Sequence, residues 1–536
     1  MGFREKVSRY YHTLRYLRWP QIVYRAYYLL RQRWRIQMGY QLPGHAPPAR
    51  RKAVAFVSFP SPPAPLYQAG RFCFLNKAHR FEDQIDWDFM GYGKLWAYNL
   101  NYFEYLCQED LPAEQGLELM RDFMANAALG GNAYEPFPTS LRAIFWIRFL
   151  MQVDRAAVED IEVHLYRQLR HLSGYREYHL LGNHLLENGF ALFAGACYFQ
   201  CPFLLQSAAQ VLQPELQEQI LPDGGHFERS PMYHQLMLYR MLDCLNISRA
   251  FEYGKSLHPL LLSKAEQMLG WLNYMTFSNG DVPAFNDSAP DIAPASGHLK
   301  AYAKRLNIHA KDLEQASASG YYMFRKQRYE LCFDAAPVGP DYIPGHAHSD
   351  TLSLVLYTHQ QPFLVDPGIS TYEKNERRQL ERSTSLHNTV QAGQAEQTEV
   401  WGGFRVARRA RPKGLAFEAG AFLRCSHDGY AKTGITHTRS VRTMEEEIHI
   451  TDEVTGSPAV ERTARWHFAP GLQPYINEQK VITEYGVLIF EGATAIRLEH
   501  YEYAAGYNKR YPAKRVAVTF EEKLRTIIRI ESILSP

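Results

Sequence analysis

The sequence predicts a multidomain α+β protein in which a helical domain is followed by a domain of antiparallel strands. The chain has 536 residues, and a single hydrophobic core rarely grows beyond about 250–300 residues, so we expect two or three structural units. Apolar residues recur every three or four positions over about 230 residues, and from Gly320 onward this pattern gives way to short alternating bursts. The change of period separates a helical half from a strand half.

The first unit, residues 1–69, is predicted to be a basic aromatic helix and a linker. Arg and Lys alternate with aromatic residues at helical spacing, and a Pro-rich stretch follows at 54–70. The segment lacks the uninterrupted apolar core of a signal peptide, so we expect a cytoplasmic or membrane-peripheral protein, with a periplasmic or secreted location by another route left open. Such a helix can pack against the next domain or lie on an anionic membrane surface as a peripheral contact.

The second unit, residues 70–315, is predicted to be helical. Its stretches TSLRAIFWIRFLMQV, NHLLENGFALFAGACYF and HQLMLYRMLDCLNI repeat apolar residues at three and four positions and are separated by Gly, Pro or Asn. Successive helical hairpins of this kind would curl into a toroid or a solenoid.

The third unit, residues 316–536, is predicted to consist of strands. Segments such as TLSLVLYTHQQPFLVD, EEEIHITDEV and GVLIFEGATAIRLEHY are short β-rich bursts bounded by turn residues. Many short strands without intervening helices favour an antiparallel sandwich over a parallel sheet.

Charge and cysteine content narrow the classes of function. The chain has 59 Lys and Arg against 56 Asp and Glu, a net charge of +3, which gives no indication of a nucleic-acid partner but allows an anionic substrate in a local cleft. Its seven scattered cysteines do not have the spacing of a zinc ribbon or a disulfide framework. Its 35 tyrosines suit both a large core and sugar-binding surfaces.

A histidine pair in the strand half is the first candidate site. In PGHAHSDTLSLVLY, His346 and His348 flank one residue just before a strand, with Asp350 close behind. Alternate residues of an extended chain project to the same side, so one imidazole can face a cleft while its neighbour binds a metal. Further on, QPFLVDPG places Asp366 at a strand end and TSLHNTV supplies His387. Two histidines and a carboxylate make a zinc set, although each residue alone could be a satisfied loop or core side chain.

Two motifs in the helical half carry further polar groups. LLGNHLLENGFALF contains Asn183, His184 and Asn188 at the start of an apolar helix, where Asn183 could equally serve as a helix cap. DGGHFERSPMYHQLML contains polar side chains around a Gly-Gly turn and a helix that begins at Pro231. The polar side chains of this second motif are His226, Glu228, Arg229, Tyr233 and His234. So many polar groups beside an apolar helix indicate the wall of a cleft.

In order and spacing, these motifs resemble the heparinase II/III family. The resemblance rests on NHxxxNG, GGHFERSPMYH, GHAHSDTLS, FLVDPG and LHNTV and covers residues 70–420. KLWAYNLNYFEYL and WGGFRVARR further resemble members found in bacterial exopolysaccharide gene clusters. The resemblance implies an incomplete α/α toroid followed by an antiparallel β-sandwich, and an anionic polysaccharide as substrate.

The resemblance also implies the residues of the site. It implies Asn183, Tyr233 and His346 as the catalytic group, with His184 as the alternative to Asn183 for facing the substrate. Its candidate substrate contacts are Arg142, Asn188, Glu228, Asn286, Asp287 and Arg405.

These residue types suit β-elimination from a 4-linked uronic acid. The C5 proton becomes acidic enough only when the neighbouring carboxylate is neutralised, a role for Asn183 or His184. His346 then suits the base and Tyr233 the acid that protonates the departing oxygen, while Tyr233 could do both for the other C5 epimer.

A zinc site is implied by the same resemblance. In the metal-containing members, His348, Asp366 and His387 correspond to the zinc ligands. Because elimination needs no metal-activated water, the zinc would brace the loop that carries His346.

Other functions stay open from the sequence. A C5 epimerase would return the proton to the opposite face, and a glycoside hydrolase would need a carboxylate pair, available among Asp223, Glu228 and Asp287. A non-catalytic polysaccharide-binding protein of an exopolysaccharide synthesis system is the third alternative. The polymer, the uronate epimer and the oligomeric state are not specified by the sequence.

Overall fold

The chain forms a helical region followed by a region of antiparallel sheets. The computed structural model describes residues 2–48, 53, 55–62, 64–153, 158–456 and 459–531. The helices are α1 Phe3–Leu14, α2 Trp19–Gln37, α3 Lys94–Tyr102, α4 Ala113–Asn126, α5 Pro136–Leu150, α6 Glu159–Ser173, α7 Gly182–Phe199, α8 Pro202–Gln219, α9 Pro231–Phe251, α10 His258–Met275, α11 Ser296–Arg305 and α12 Glu376–Glu381. No helix of the described residues is long and apolar enough to cross a membrane.

Proline and side-chain caps set where the main helices begin. Pro136, Pro202 and Pro231 are the first residues of α5, α8 and α9, where a missing N–H costs nothing. The hydroxyl of Ser230 accepts a hydrogen bond from the Tyr233 amide at 3.2 Å and caps α9. Helix α7 is buried along almost its whole length between α5, α8 and α9, as its continuous apolar sequence requires.

Two sheets pack against each other in the second half of the chain. The smaller sheet has the order β4–β5–β6–β7, formed by Tyr321–Arg325, Tyr329–Asp334, Leu354–Thr358 and Gln361–Leu364. The larger sheet, whose strand bounds follow, has the order β11–β12–β13–β14–β19–β18–β17–β16. In addition, β15 pairs with β19, and β8 pairs with β15. Its strands and the short pair β9–β10 are β8 Val390–Ala392, β9 Val400–Trp401, β10 Arg405–Val406, β11 Pro412–Glu418, β12 Phe422–His427, β13 Thr436–Thr443, β14 Glu447–Thr455, β15 Arg462–His467, β16 Tyr475–Asn477, β17 Lys480–Ile482, β18 Gly486–Gly506 and β19 Lys509–Ile530. One apolar cluster joins both sheets, so they form a sandwich.

A small sheet near residue 70 was not predicted. Strands β1 Tyr67–Gln68, β2 Arg71–Phe74 and β3 Lys77–Arg80 form an antiparallel sheet between the N-terminal helices and α3. Its strands have only two to four residues, too few for the alternation of buried and exposed side chains to stand out in the sequence.

The helical and sheet regions share a buried apolar cluster. Trp271 and Met275 of α10 pack with Tyr321 and Met323 of β4 and with Val355 of β6. This shared core joins the helical region to the sandwich, and the polar motifs of the two regions meet beside it.

Candidate active site

A cleft of about 730 Å³ lies between the helical region and the sandwich. Asn183 of α7 and Tyr233 of α9 line it from one side. Asp366, Tyr372 and Tyr507 line it from the sandwich side. The cleft therefore collects side chains from both halves of the chain.

Asn183 sits on a strained turn at the start of α7. Leu181, which precedes the helix, has φ 66° and ψ −157°, a backbone conformation that costs a non-glycine residue roughly 1–3 kcal/mol. A Cβ at Gly182 would lie 2.6 Å from a carboxylate oxygen of Glu228, so glycine is required there. The backbone amide and the side-chain Nδ2 of Asn183 donate to the two oxygens of Glu228, at 2.9 and 3.2 Å. The turn thus aims the Asn183 amide into the cleft.

His346 contacts both helical motifs. Its Nε2 lies 3.4 Å from Asn183 Nδ2 and 3.3 Å from Glu228 Oε2. Its Nδ1 lies 2.9 Å from a carboxylate oxygen of Asp287. Both ring nitrogens therefore face a carboxylate. The contact to Asp287 is the shorter one and favours Nδ1 as the protonated nitrogen of a neutral ring, which leaves Nε2 to accept a proton.

Tyr233 stacks on His346. The ring centroids are 4.0 Å apart at an interplanar angle of 33°, and the Tyr233 hydroxyl is 3.1 Å from that of Tyr372. Burial raises the pKa of Tyr233 above its ordinary value, and the hydrogen bond to Tyr372 opposes this only in part. Tyr233 is therefore a neutral phenol near pH 7, the form that can donate a proton.

Asp287 is the anchor of the site. Arg378 of α12 donates to both of its oxygens, and His346 and His348 each lie 2.9 Å from one of them. Burial would raise the pKa of Asp287, but Arg378 and the two imidazoles outweigh it and hold that pKa well below its ordinary value. The carboxylate is ionised and fixes the orientation of both rings.

Beside this anchor lies a cluster suited to a metal ion. His348, Asp350 and His387 each offer a ligand atom within 4.8 Å of the others. His348 Nδ1, Asp350 Oδ2 and His387 Nε2 are all buried without a hydrogen-bond partner, although buried polar atoms are normally paired. Burial lowers the pKa of His348 to about 4, so its ring is neutral near pH 7, as a metal ligand must be. These residues fit a divalent cation such as Zn²⁺.

Asp366, the carboxylate of the predicted zinc set, contacts one of the two histidines of that set. Its Oδ2 lies 2.8 Å from His387 Nδ1, and its other oxygen accepts from the Gly368 amide at 3.1 Å. Asp366 therefore orients His387, and the carboxylate that faces the open ligand position is that of Asp350. Asp350 stood in the same motif as His348, but the sequence spacing could not show which carboxylate turns inward.

Two family models match this chain over adjoining ranges. The model described as Heparinase II/III N-terminus matches residues 140–313, and the model described as Heparinase II/III-like, C-terminal matches residues 309–531. The chain belongs to the heparinase II/III family.

Relatives of this heparinase II/III chain carry differing names. A heparin-sulfate lyase of Pedobacter heparinus is 26% identical over 241 residues, 39% of this chain and 36% of that protein. FtsZ-localized protein C of Caulobacter vibrioides is 24% identical over 300 residues, 53% of this chain and 50% of that protein. The chain thus spans between about a third and a half of the length of these two relatives.

A solved heparinase III structure shows the fold. It superposes with a TM-score of 0.64 at 18% identity, over 84% of this chain and 82% of that one. The predicted fold class, an incomplete α/α toroid followed by an antiparallel β-sandwich, is confirmed.

Three of the substrate contacts implied by the family resemblance are not among the residues that line the cleft. Arg142 is fully buried inside the helical region, where it donates to Gln168 and to backbone carbonyls. Asn188 is also fully buried; it accepts from the Glu177 amide and donates to Ser140. Arg405 is exposed and lies over the ring of Trp401, 4.8 Å from its centroid. The first two residues bond to other parts of the helical region. Arg405 lies on β10 next to Phe404, whose ring contacts that of Tyr372 in the cleft.

The remaining implied contacts lie beneath the cleft surface. Glu228 and Asp287 are buried and bond to Asn183 and His346, respectively. Asn286 is buried, donates to the Arg229 carbonyl and accepts from the His348 amide. All three hydrogen-bond to the motifs that carry Asn183, His346 and His348.

The side chain of His184 has partners different from those of Asn183. Its Nδ1 lies 3.1 Å from Glu177, and its ring lies 4.4 Å from that of Phe137. Of the neighbouring pair, Asn183 is the residue that meets His346.

Sequence reasoning missed Tyr372, Arg378 and Glu187. Glu187 follows Asn183 by one helical turn on α7, lines the cleft, and has one buried oxygen without a partner. Burial raises its pKa to about 7, against the opposing effect of Arg240. Its i, i+4 spacing from Asn183 was a usable signal. Tyr372 and Arg378 reach the site through tertiary packing, for which the sequence carries no local sign.

Proposed function

We propose that this chain is a polysaccharide lyase that cleaves a uronic-acid-containing anionic polysaccharide by β-elimination. The observation that carries the proposal is the convergence of Asn183, Tyr233 and His346, with His346 stacked on Tyr233 and its Nε2 3.4 Å from Asn183 Nδ2. An amide donor, a base and an acid are the three groups that the reaction needs.

The proposed reaction has one proton removed and one proton supplied. Asn183 donates to the uronate carboxylate and stabilises the enolate-like charge that develops there. His346 Nε2 takes the C5 proton while Asp287 holds Nδ1. The C4–O bond then breaks, Tyr233 protonates the departing oxygen, and a C4–C5 double bond remains in the sugar.

For the metal, we propose that His348, Asp350 and His387 are the ligands and that Asp366 orients His387. The bound ion would supply structural bracing to the segment 346–350. Because His346 and His348 share Asp287, a firm His348 also keeps the His346 ring in place.

The relatives' names support a sulfated or otherwise anionic polymer as the first choice of substrate. Incubating the purified chain with a panel of uronic-acid polysaccharides should yield an unsaturated, ultraviolet-absorbing sugar from at least one of them. His346→Ala should abolish this product while polymer binding persists. Binding without any product from the whole panel, by the parent chain, would contradict the lyase proposal.

A C5 epimerase is separated from a lyase by one isotope experiment. In deuterated water an epimerase introduces deuterium at C5 without shortening the chain, whereas a lyase shortens the polymer and leaves the double bond. A polymer that gains deuterium and keeps its length would replace the lyase with the epimerase.

A further inference from the structure

The N-terminal helices present apolar residues to solvent on a broad surface. On α1, the exposed residues Phe3, Val7, Tyr10, Tyr11 and Leu14 recur at the spacing of a single helical face. Phe3 is 82% exposed. On α2, the corresponding exposed face consists of Trp19, Ile22, Val23, Tyr27, Leu29, Leu30, Trp34 and Met38, the last just beyond the helix end. We call these two faces together the N-terminal apolar surface.

Helix α1 attaches to the sandwich through its polar side. Arg9 pairs with Glu399 at 2.7 Å, and Ser8 accepts from Arg408 at 2.6 Å. The Thr13 hydroxyl accepts from Trp401 at 3.2 Å. An amphipathic helix of a soluble domain normally buries its apolar face, so the arrangement of α1 is inverted.

Helix α2 is attached in a similar manner. The Gln21 amide donates to the Tyr342 carbonyl at 3.1 Å, and Arg18 pairs with Glu218. The Tyr28 hydroxyl donates to the Arg176 carbonyl at 2.5 Å. Its apolar face stays outside, with Trp19 77% and Leu30 69% exposed. Exposed apolar surface of this extent marks an interaction site.

The charge on these helices indicates the occupant. Residues 3–37 contain nine Arg or Lys side chains and a single carboxylate, Glu5. Arg4 and Lys6 lie on either side of the apolar stripe of α1, and Arg25 and Arg33 are exposed along α2. A second copy of this chain would bring two such cationic surfaces together, which is unfavourable, whereas an anionic bilayer offers complementary charge and an apolar interior.

We infer that the N-terminal apolar surface docks this protein on an anionic phospholipid bilayer as an interfacial, non-spanning attachment. Trp19 and Trp34 have the amphipathic rings that favour the level of the headgroups, and the flanking Arg and Lys side chains pair with lipid phosphates. The inner faces keep the helices bound to the protein, α1 through polar contacts and α2 also through the rings of Tyr24 and Tyr28. The outer faces enter the membrane.

Vesicle binding by the full chain tests this inference. Sedimentation with vesicles of phosphatidylcholine mixed with phosphatidylglycerol should bring the protein down, and vesicles of phosphatidylcholine alone should do so much less. Lys6→Gln, Arg25→Gln and Arg33→Gln combined should weaken binding by about 100-fold, since each cation near an anionic surface contributes about 1 kcal/mol. Phe3→Ser, Leu30→Ser and Trp34→Ser combined should also abolish sedimentation.

Two further measurements keep the outcome unambiguous. Tyr475→Ser with Tyr511→Ser removes exposed aromatic residues from the sandwich and should leave binding unchanged. Of the eight tryptophans, only Trp19 and Trp34 are exposed, so a blue shift of tryptophan emission on anionic vesicles reports their insertion. Absence of both sedimentation and blue shift at low salt would overturn the inference. So would a concentration-dependent dimer, seen by light scattering, that the Phe3, Leu30 and Trp34 substitutions abolish.

Discussion

Asp287 accepts a hydrogen bond from the Nδ1 atom of His346, and the two residues come from the helical region and the sandwich, respectively. Asp287 lies in the segment after α10, and His346 lies in the loop that leads into β6. The link therefore ties the sandwich to the helical region at the cleft. Arg378 completes it by holding both oxygens of Asp287.

Replacing Arg378 with Met should destabilise the fold and change its response to acid. Removing one partner of a buried ion pair typically costs about 3–5 kcal/mol of unfolding free energy. The folded pKa of Asp287 lies well below its ordinary 3.8, so its stabilisation is fully present above that value and is lost as pH falls through the folded pKa. Without Arg378 the folded pKa rises and the loss begins at higher pH. Denaturant titrations over a range of acidic pH measure both effects.

Arg382→Met is the matched control for Arg378→Met. Arg382 is equally buried but donates to the Ala347 and Gly403 carbonyls and not to a carboxylate. The Arg382 variant should be less stable than the parent chain, but its unfolding free energy should fall over the same acidic pH range as that of the parent. If unfolding free energy falls over the same acidic pH range in both variants, Arg378 is not what keeps Asp287 ionised.

Replacing Tyr233 with Phe should lower kcat far more than stability. The change removes the hydroxyl next to Tyr372 and leaves the ring stacked on His346. Loss of a positioned acid typically costs about 10²- to 10⁴-fold in rate, whereas loss of one hydrogen bond costs about 1 kcal/mol of stability. Turnover on a substrate that the parent cleaves measures the loss of rate, and thermal unfolding measures the loss of stability. Tyr430→Phe removes a buried hydroxyl that donates to the Val390 carbonyl and should change stability alone. Near-parental turnover by the Tyr233 variant would remove Tyr233 from the mechanism.

Two asparagines five residues apart on α7 should separate chemistry from folding. Asn183→Ala removes the amide that lines the cleft and donates to Glu228, so it should reduce kcat strongly and cost about 1 kcal/mol of unfolding free energy. Asn188→Ala leaves the Glu177 amide without its acceptor and should cost about 1–3 kcal/mol of unfolding free energy. Equal losses of stability in the two variants would show that both asparagines are structural.

Metal binding should depend on Asp350 more than on Asp366. Asp350→Asn removes a ligand charge, whereas Asp366→Asn only loosens His387, a change that typically costs about 10- to 100-fold in metal affinity. A chelator should lower the unfolding temperature of the parent chain, since the ligands come from separate segments. Elemental analysis and calorimetric titration with Zn²⁺ measure the site. His437→Gln, buried in the larger sheet beside Asp452, serves as the control and should keep the parental stoichiometry. A parent chain that takes up no divalent cation would refute the metal proposal.

The sequence predicted the fold where the local pattern was long and regular. The apolar sequence of α7 and the alternation in β14 extend over nine or more residues, and these elements form as expected. Strands of two to four residues such as β1, β2 and β3 offer no such run, and their pairing depends on contacts with α3 and the core.

The candidate site also has features that could be predicted from the sequence and features that depend on tertiary packing. The family resemblance implied that Asn183, Tyr233 and His346 belong to one site, and in the structure both Asn183 and Tyr233 contact His346. Spacing could not predict that Arg142 points into the helical core, because the direction of a side chain on an entirely buried helix depends on its neighbours. The choice between Asp350 and Asp366 likewise depends on which carboxylate a histidine already holds.

Strand β19 has a consequence for the order in which the protein matures. Although it is the last strand described along the chain, it pairs with β14, β15 and β18 at the middle of the larger sheet. A nascent chain that has emerged only as far as the end of β18 carries every residue that lines the cleft except Tyr507, but its sandwich lacks the central strand that pairs with β14, β15 and β18. We therefore expect the loops that carry the cleft residues to become ordered only after β19 has joined the sheet.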